Sequence, residues 1–351
     1  MMIIPIVLIS KKGAINMKKK FLGQYFTEKD YWIYPDIVKL LENNNFTKIL
    51  DPFAGSNNLI KNNIFNNIWY KEGYEIDPFY IKDEVLYNDS FHYIPNQKDC
   101  LIVTNPPYIY KSIAKKERNK KALKYFATNN YVDLYLLAIK NSLKSTRFSI
   151  FIVPETFLFL KNNPFMQNIV SLNIIEDRMF YNTDTPVLSV IFDNTKTDVD
   201  FKIFKNGKYL FNYNHLETIK NKLKKDKNIP IIFNDISGQI LIKGIDGIKV
   251  DDKIEFKKYT IDDKILVKES SRHHTVVKID YYIPDLDLFI VKLNKELNKL
   301  REETKDLILS PFKGNNKAGI RRRRLSFDIS RKLIIEVLKK GGANNERKDN
   351  L

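Results

Sequence analysis

Cysteine is almost absent: Cys100 stands alone in 351 residues. A disulfide framework within the chain and a cysteine zinc cluster are both excluded, and the composition fits a reducing, cytoplasmic compartment. Histidine is equally scarce, with four in all. The adjacent pair His273-His274 would point to opposite faces of a strand, so no metal site is expected. Long apolar runs are missing too. The opening stretch, residues 1–9, falls far short of the roughly 20 residues that cross a bilayer, so no membrane partner is expected. That stretch has no basic residues before it and no small-residue cleavage site after it, as a signal peptide would. It reads as an over-long start ahead of Met17, or as an added edge strand.

Acidic residues are in deficit. Lys+Arg number 59 against 42 Asp+Glu, a net charge of +17. A chain this basic is drawn to polyanions, of which nucleic acid is the commonest, although a lysine-rich proteome produces the same arithmetic. The excess is uneven. Residues 1–200 hold 25 basic and 21 acidic side chains, and residues 201–351 hold 34 and 21. This asymmetry suggests a chemical domain followed by a polyanion-binding one, with a boundary near residues 198–201. Hydrophobic residues make up 43%, enough for a sizeable core and against wholesale disorder.

The first half alternates short apolar runs with helix-like segments. Runs end at Ile49-Leu50, over 69–76, more weakly over 84–88, over 101–104, over 148–153 and late over 187–192. Residues 131–143 carry helical spacing in Leu134, Leu137, Ala138 and Ile139. Strands alternating with helices indicate an α/β fold with an open, mostly parallel sheet. Ligands bind such sheets beyond the carboxyl ends of the strands. The second half predicts a hairpin over 201–211 about Asn206-Gly207, which favours a type I′ turn. A basic helix or linker follows over 215–227, then short strands and turns over 229–268. A helix is expected over 286–300, a basic loop over 315–324 and a closing helix over 331–340.

Three constellations sit where the strand-end rule directs attention. Asp51-Pro52-Phe53-Ala54-Gly55-Ser56-Asn57-Asn58 follows the first run. An acid at a strand tip before a small-residue turn suits a ligand with a cationic end, and Gly55 permits close backbone approach; a tight strand-to-helix turn is the plain alternative. Gly73-Tyr74-Glu75-Ile76-Asp77-Pro78 ends the second run. An acid there is well placed to bond ribose hydroxyls, or is one of two acids in a solvated turn. Thr104-Asn105-Pro106-Pro107-Tyr108 follows the fourth run. Two prolines remove two backbone donors and stiffen the chain. The tip is then rich in acceptors, the Asn105 side-chain oxygen and the Pro106 carbonyl, and two neutral acceptors match an amino group with two N–H bonds. Tyr108 offers an aromatic face.

Asn105-Pro106-Pro107-Tyr108 resembles the catalytic motif of amino-methyltransferases that use S-adenosylmethionine, and Asp51-Pro52-Phe53-Ala54-Gly55-Ser56 resembles their cofactor motif. Gly23-Gln24-Tyr25-Phe26-Thr27 is similar to the tenth motif of gamma-arrangement DNA adenine-N6 methyltransferases, the type II restriction-modification family. The order here is that family's order, and the resemblance covers roughly residues 20–193. It implies a Rossmann-like mixed seven-stranded methyltransferase sheet followed by a mixed α+β target-recognition domain. The domains would be a catalytic one over 18–198 and a basic DNA-binding one over 199–340, with flexible termini over 1–17 and 341–351.

Carried over by position, the resemblance implies that Thr27 bonds the carboxylate of S-adenosylmethionine, Asp51 faces its ammonium, and Phe53, Ala54 and Gly55 form the turn around it. Glu75 would hold the ribose, Ile76 would pack on the adenine and Asp89 would accept from its exocyclic amine. Asn105 and the Pro106 carbonyl would bind the target amine, with Tyr108 stacked on the flipped base and Phe180 as a second aromatic. Asp133-Leu134-Tyr135 resembles the fifth motif. Asn57 departs from the family, which often has a second glycine there; asparagine tolerates left-handed backbone, so a retained turn is expected. Arg272 and Arg321, Arg322, Arg323 and Arg324 are the candidates for phosphate and base contact.

The implied activity is site-specific transfer of a methyl group to N6 of adenine in double-stranded DNA. The chain would act as a monomer, with any restriction endonuclease a separate protein. Cytosine N4, an RNA base or a protein glutamine are alternative acceptors, and a catalytically inactive DNA-binding homologue is a further one.

Overall fold

A computed structural model describes residues 30–97, 99–177, 179, 184–224, 226, 228–267 and 273–346, with backbone alone for 265 and 341–346. The chain divides into two compact units, the first ending at Tyr209 and the second beginning at Leu210. Among the described residues no helix is long and apolar enough to cross a membrane.

In the first unit the apolar runs become β1 (Lys48–Asp51), β2 (Tyr70–Glu75), β3 (Val85–Tyr87), β4 (Cys100–Thr104), β5 (Phe148–Pro154) and β7 (Val187–Asp193). A further strand, β6 (Ile169–Ile175), was not expected from the sequence. Its Ser171 and Asn173 interrupt the apolar pattern, yet both are buried and partnered. Ser171 Oγ lies 3.0 Å from the Tyr34 hydroxyl, and Asn173 Oδ1 accepts from the Gly207 amide at 2.9 Å. The hairpin about Asn206-Gly207 is present as β8 (Lys202–Lys205) and β9 (Lys208–Asn212). Asn206 and Gly207 both take positive φ, 46° and 75°, as a type I′ turn requires.

These strands form one mixed sheet in the order β3-β2-β1-β4-β5-β7-β6-β8-β9. β1, β2, β3, β4 and β5 run parallel, and β7 is antiparallel to both β5 and β6. The sheet has nine strands rather than the seven expected, because the hairpin extends it: β8 pairs parallel with β6. β4 and β5 are buried almost throughout, the signature of central strands covered on both faces. Helix α1 (Pro35–Glu42) precedes β1. Between β4 and β5 lie α2 (Lys111–Lys116), α3 (Lys120–Phe126) and α4 (Leu134–Ser145).

The second unit opens with α5 (Tyr213–Lys222). β10 (Ile231–Phe233), β11 (Ile240–Lys243), β12 (Glu255–Lys258) and β13 (His274–Ile279) form an antiparallel sheet in the order β10-β13-β11-β12. Helices α6 (Leu286–Glu303) and α7 (Phe327–Glu346) share its core through Leu293, Leu297, Leu333 and Ile334. Between them stand β14 (Ser310–Asn315) and β15 (Arg321–Arg324), paired antiparallel. The stretch expected as a basic loop is thus partly strand.

Gly73 shows how tightly the sheet grips the turn after β1. It pairs with Asp51. A Cβ there would stand 2.6 Å from the Ala54 Cβ and 2.9 Å from Asn57 Oδ1, well inside van der Waals contact. Gly73→Ala is therefore expected to destabilise the protein by about 1–3 kcal/mol through overpacking. Thermal unfolding measures this; a melting temperature within about a degree of wild type would show that the turn yields freely.

Candidate active site

Asp51, at the tip of β1, is buried, as the end of a central parallel strand must be. Its Oδ1 accepts from the Phe53 amide at 3.0 Å and from the Thr104 hydroxyl at 2.6 Å. Among the described residues no cation pairs with it, and burial pushes its pKa up to about 7, with the Glu75 charge adding to the rise. Both bonds fall on Oδ1, which leaves Oδ2 for a ligand.

The turn that follows uses two left-handed residues, Gly55 at φ 50° and Asn57 at φ 62°. Asn57 keeps the turn, as its tolerance of that region allows. Its amide group is nonetheless buried with neither polar atom hydrogen-bonded. The Ala54 amide donates to the Tyr74 carbonyl at 2.9 Å, tying the turn to β2. Glu75, at the tip of β2, is buried and held by three backbone donors. Gly55 N reaches Oε2 at 3.0 Å, while Ile76 N and Asp77 N reach Oε1 at 2.8 and 3.0 Å. Among the described residues its carboxylate is fixed by backbone amides and by no cation.

Asp89 follows β3. Its Oδ2 accepts from the Tyr125 hydroxyl at 2.8 Å and lies 3.4 Å from Lys124 Nζ. Its Oδ1 is buried with no partner, a position that calls for an N–H or O–H donor. The rings of Phe53, Phe91 and Tyr125 follow one another at centroid separations of 4.8 and 5.0 Å.

Asn105 lies just beyond the tip of β4. The Tyr108 hydroxyl is 2.5 Å from Asn105 Oδ1 and 2.9 Å from the Ile152 carbonyl. An amide oxygen has two lone pairs and can accept from two donors. The Tyr108 ring is half-buried and meets Tyr135 edge-on at 6.1 Å. Pro106 is buried. Asp133, before α4, steadies the loop by accepting from the Ile109 amide at 2.8 Å; burial raises its pKa to about 7 as well.

A single cavity of about 690 Å³ joins these parts, within the ~300–1,000 Å³ usual for cofactor and small-molecule sites. Asp51, Phe53, Ala54 and Gly55 line it from β1, Glu75 and Ile76 from β2, Asp89 from β3 and Asn105 from β4. Phe91, Asn119, Lys120, Lys121, Lys124 and Tyr125 also line it, and none of them was assigned to the cofactor from the sequence. Residues of α3 carry no strand-tip signal, and only folding brings them near Asp89. Cys100 begins β4, at the other end of the strand from Asn105, and burial pushes its thiol up to about 12. No thiolate nucleophile stands at the tip.

Thr27, Phe180 and Arg272 lie outside the described residues. The four arginines belong to the second unit, and the structure corrects the expectation of a charged run open to phosphate. Arg321 and Arg323 are buried in β15, where alternate residues turn inward. The Arg322 guanidinium lies over the Phe312 ring at 4.9 Å and its Nε donates to the Asp246 carbonyl at 2.8 Å. Arg324 Nε is 3.3 Å from Ser310 Oγ.

No family model matches the chain, and no match was found among curated proteins. Among solved structures the chain is similar to a type I restriction-modification system methyltransferase subunit from Streptococcus thermophilus. That match has 13% identity, 60% of this chain, 56% of that one and a TM-score of 0.36. It is also similar to the M protein of the type I restriction enzyme EcoKI, at 12% identity over 84% and 74% of the two chains, TM-score 0.36. A third, from Listeria monocytogenes, is assigned to the class I S-adenosylmethionine-dependent methyltransferases: 16% identity, 55% and 71%, TM-score 0.34. The chain thus spans about half the length of the Streptococcus subunit.

The buried acids make stability depend on pH. The folded protein keeps a proton on Asp51 up to about pH 7, whereas the unfolded chain loses it near the ordinary value of 3.8. Folded stability should therefore fall as pH rises through that window and level off above it. Asp51→Asn should remove this group's share of the slope, leaving that of Asp133. Urea unfolding at about pH 5 and pH 8 reads this directly, and identical slopes in variant and wild type would refute it.

Proposed function

We propose that this chain is an S-adenosylmethionine-dependent DNA methyltransferase acting on N6 of adenine at specific sites. The observation that carries the reading is the shared cavity. Acids from three strand tips and the acceptor-rich Asn105 tip face one space of about 690 Å³. The residues fit the cofactor. Asp51 offers a buried carboxylate with no cation of its own, Glu75 a rigid acceptor for ribose hydroxyls, and Asp89 Oδ1 an unpartnered acceptor for an exocyclic amine. Ile76 and Phe91 supply apolar surface for a purine. Thr27 is proposed for the cofactor's carboxylate.

Bound S-adenosylmethionine would supply an electrophilic methyl group on a sulfonium. The chain's own work is orientation and polar preorganisation. Asn105 Oδ1 and the Pro106 carbonyl accept from the two N–H bonds of the target amine and turn its lone pair out of conjugation with the ring. Tyr108, through its hydroxyl, fixes the angle of the Asn105 amide. A general base is not required at the moment of attack, since the amine acquires its charge as the new bond forms and can then lose a proton to water. The target base must leave the helix stack to enter the cavity, at a cost of about a few kcal/mol.

The chain would act on double-stranded DNA as a monomer, in a reducing cytoplasm and apart from any cognate endonuclease. Phe180 and Arg272 are proposed for the target base and DNA. Asn at the first position of the catalytic tip favours adenine over cytosine N4.

A labelled-methyl assay on DNA, RNA and protein substrates tests the substrate class. Asn105→Ala should lower kcat by about 10²–10³-fold, as loss of a preorganised polar contact does. Cofactor affinity should stay within about threefold. Wild-type turnover in that variant would refute the assignment. Cofactor binding should also follow Asp51. An ammonium group needs the ionised form, so affinity is expected to fall about tenfold per unit as pH drops below 7. The Asp51→Asn variant should bind weakly at every pH; calorimetry across pH 5.5–8 (about this range) distinguishes the two.

A further inference from the structure

Residues 111–124 hold seven Lys+Arg and a single acid, Glu117. The rest of the span 30–200 holds 12 Lys+Arg against 19 Asp+Glu, a net charge of −7. A lysine-rich composition alone would spread its cations evenly. Within residues 30–200 the chain is acidic except where it passes from the Asn105 tip towards α4.

That passage is the helix pair α2–α3. Its apolar side is docked: Ala114, Ala122 and Phe126 pack with Leu134. Its cations point the other way, and Lys115, Lys116, Arg118, Lys120 and Lys121 are exposed. Among the described residues Lys124, beside Asp89, is the one of the seven in an ion pair. Lys120, Lys121 and Lys124 line the same cavity as Asn105, so the charge lies at the entrance to the candidate active site. Arg118 joins the helices at φ 52°, with the Asn119 amide donating to the Ala114 carbonyl at 2.9 Å. Glycine is favoured at such a helix end, and a cation stands there instead.

We propose that α2 and α3 form a phosphate-binding rim around the cavity mouth, gripping the backbone of double-stranded DNA beside the nucleotide turned into the site. The partner is taken from the methyltransferase reading; the rim itself is argued from charge and placement. Each helix is roughly 10 Å long, the reach of about three successive phosphates at ~3.4 Å along one strand. The rim belongs to the first unit and residues 321–324 to the second.

The test uses the full chain and a fluorescent mixed-sequence duplex, titrated by anisotropy from about 50 to 200 mM salt. The variant is Lys115→Gln/Lys116→Gln/Arg118→Gly. Each lost phosphate contact flattens the plot of log K against log salt by about 0.9. The triple variant should therefore be shallower by about 2–3, with affinity reduced roughly tenfold or more near 100 mM. Its melting temperature should not fall, because glycine suits position 118. Lys61→Gln/Lys82→Gln/Lys161→Gln, which removes three exposed cations elsewhere in the unit, should change the slope by less than about one.

An unchanged slope in the folded rim variant would overturn the proposal. So would an equal fall in the control, or tighter binding to an RNA duplex of the same sequence. Retention of labelled S-adenosylmethionine separates this from the functional reading. If wild type and variant both bind cofactor and transfer methyl groups but share one slope, the rim alone fails. If neither binds cofactor yet the slope falls, the rim stands and the methyltransferase reading fails.

Discussion

The hydroxyl of Thr104 donating to the carboxylate of Asp51 joins the tips of the two central strands. β1 and β4 pair in parallel, so both chains end at the same edge of the sheet and their next residues must turn into the same space. One turn carries Gly55 and Asn57, the other Asn105 and its prolines. The bond keeps the two turns in register across 53 residues of sequence. Burial, with the Glu75 charge adding to it, is what raises the Asp51 carboxyl to about 7; the hydroxyl bond works the other way and favours the ionised form.

The three carboxylates around the cavity are held in three different ways, and each suits a different kind of ligand atom. Asp51 is desolvated and bonded to two neutral donors, a setting that a cation would improve greatly. Glu75 is clamped by backbone amides from two turns, so its remaining lone pairs are directional acceptors with little freedom to move. Asp89 is bonded through one oxygen to Tyr125 and leaves the other buried and unmet. Asn57 is the discordant member. Its backbone makes the turn, while its amide lies buried without hydrogen bonds, a strain of about 1–3 kcal/mol for each unsatisfied group.

Charge totals and charge placement diverge in this chain. The half with the larger positive excess spends part of it internally. Asp246 accepts from both Arg301 terminal nitrogens at 3.0 and 2.9 Å, from the Ile254 amide and from the Arg323 amide. Arg301 pairs bidentately with the buried Asp246 and so ties the second unit together, and the burial of Arg321 and Arg323 removes them from the surface that a polyanion meets. The nearly neutral half, by contrast, places seven of its 25 basic residues within 111–124, on one docked helix pair with a single acid among them.

The sequence by itself determined the strand tips. Apolar runs, prolines and the residues just after each run are local features, and in a parallel sheet a local run places its own carboxyl end. Asp51, Glu75 and Asn105 could be singled out for that reason, and so could the hairpin at Asn206-Gly207, whereas Asp89 was reached through the family resemblance alone. Only the tertiary structure decided what surrounds them. β6 was missed because its polar residues are satisfied by Tyr34 and Gly207, partners 137 and 34 residues away. Tyr125 and the α3 lysines reach the cavity through a helix whose placement depends on packing against Leu134. The arginine run, legible as charge, became a strand whose alternation buries half of it. A sequence records which groups a chain carries, but burial and partnership arise between segments far apart, and those decide whether a group meets solvent, a ligand or its own core.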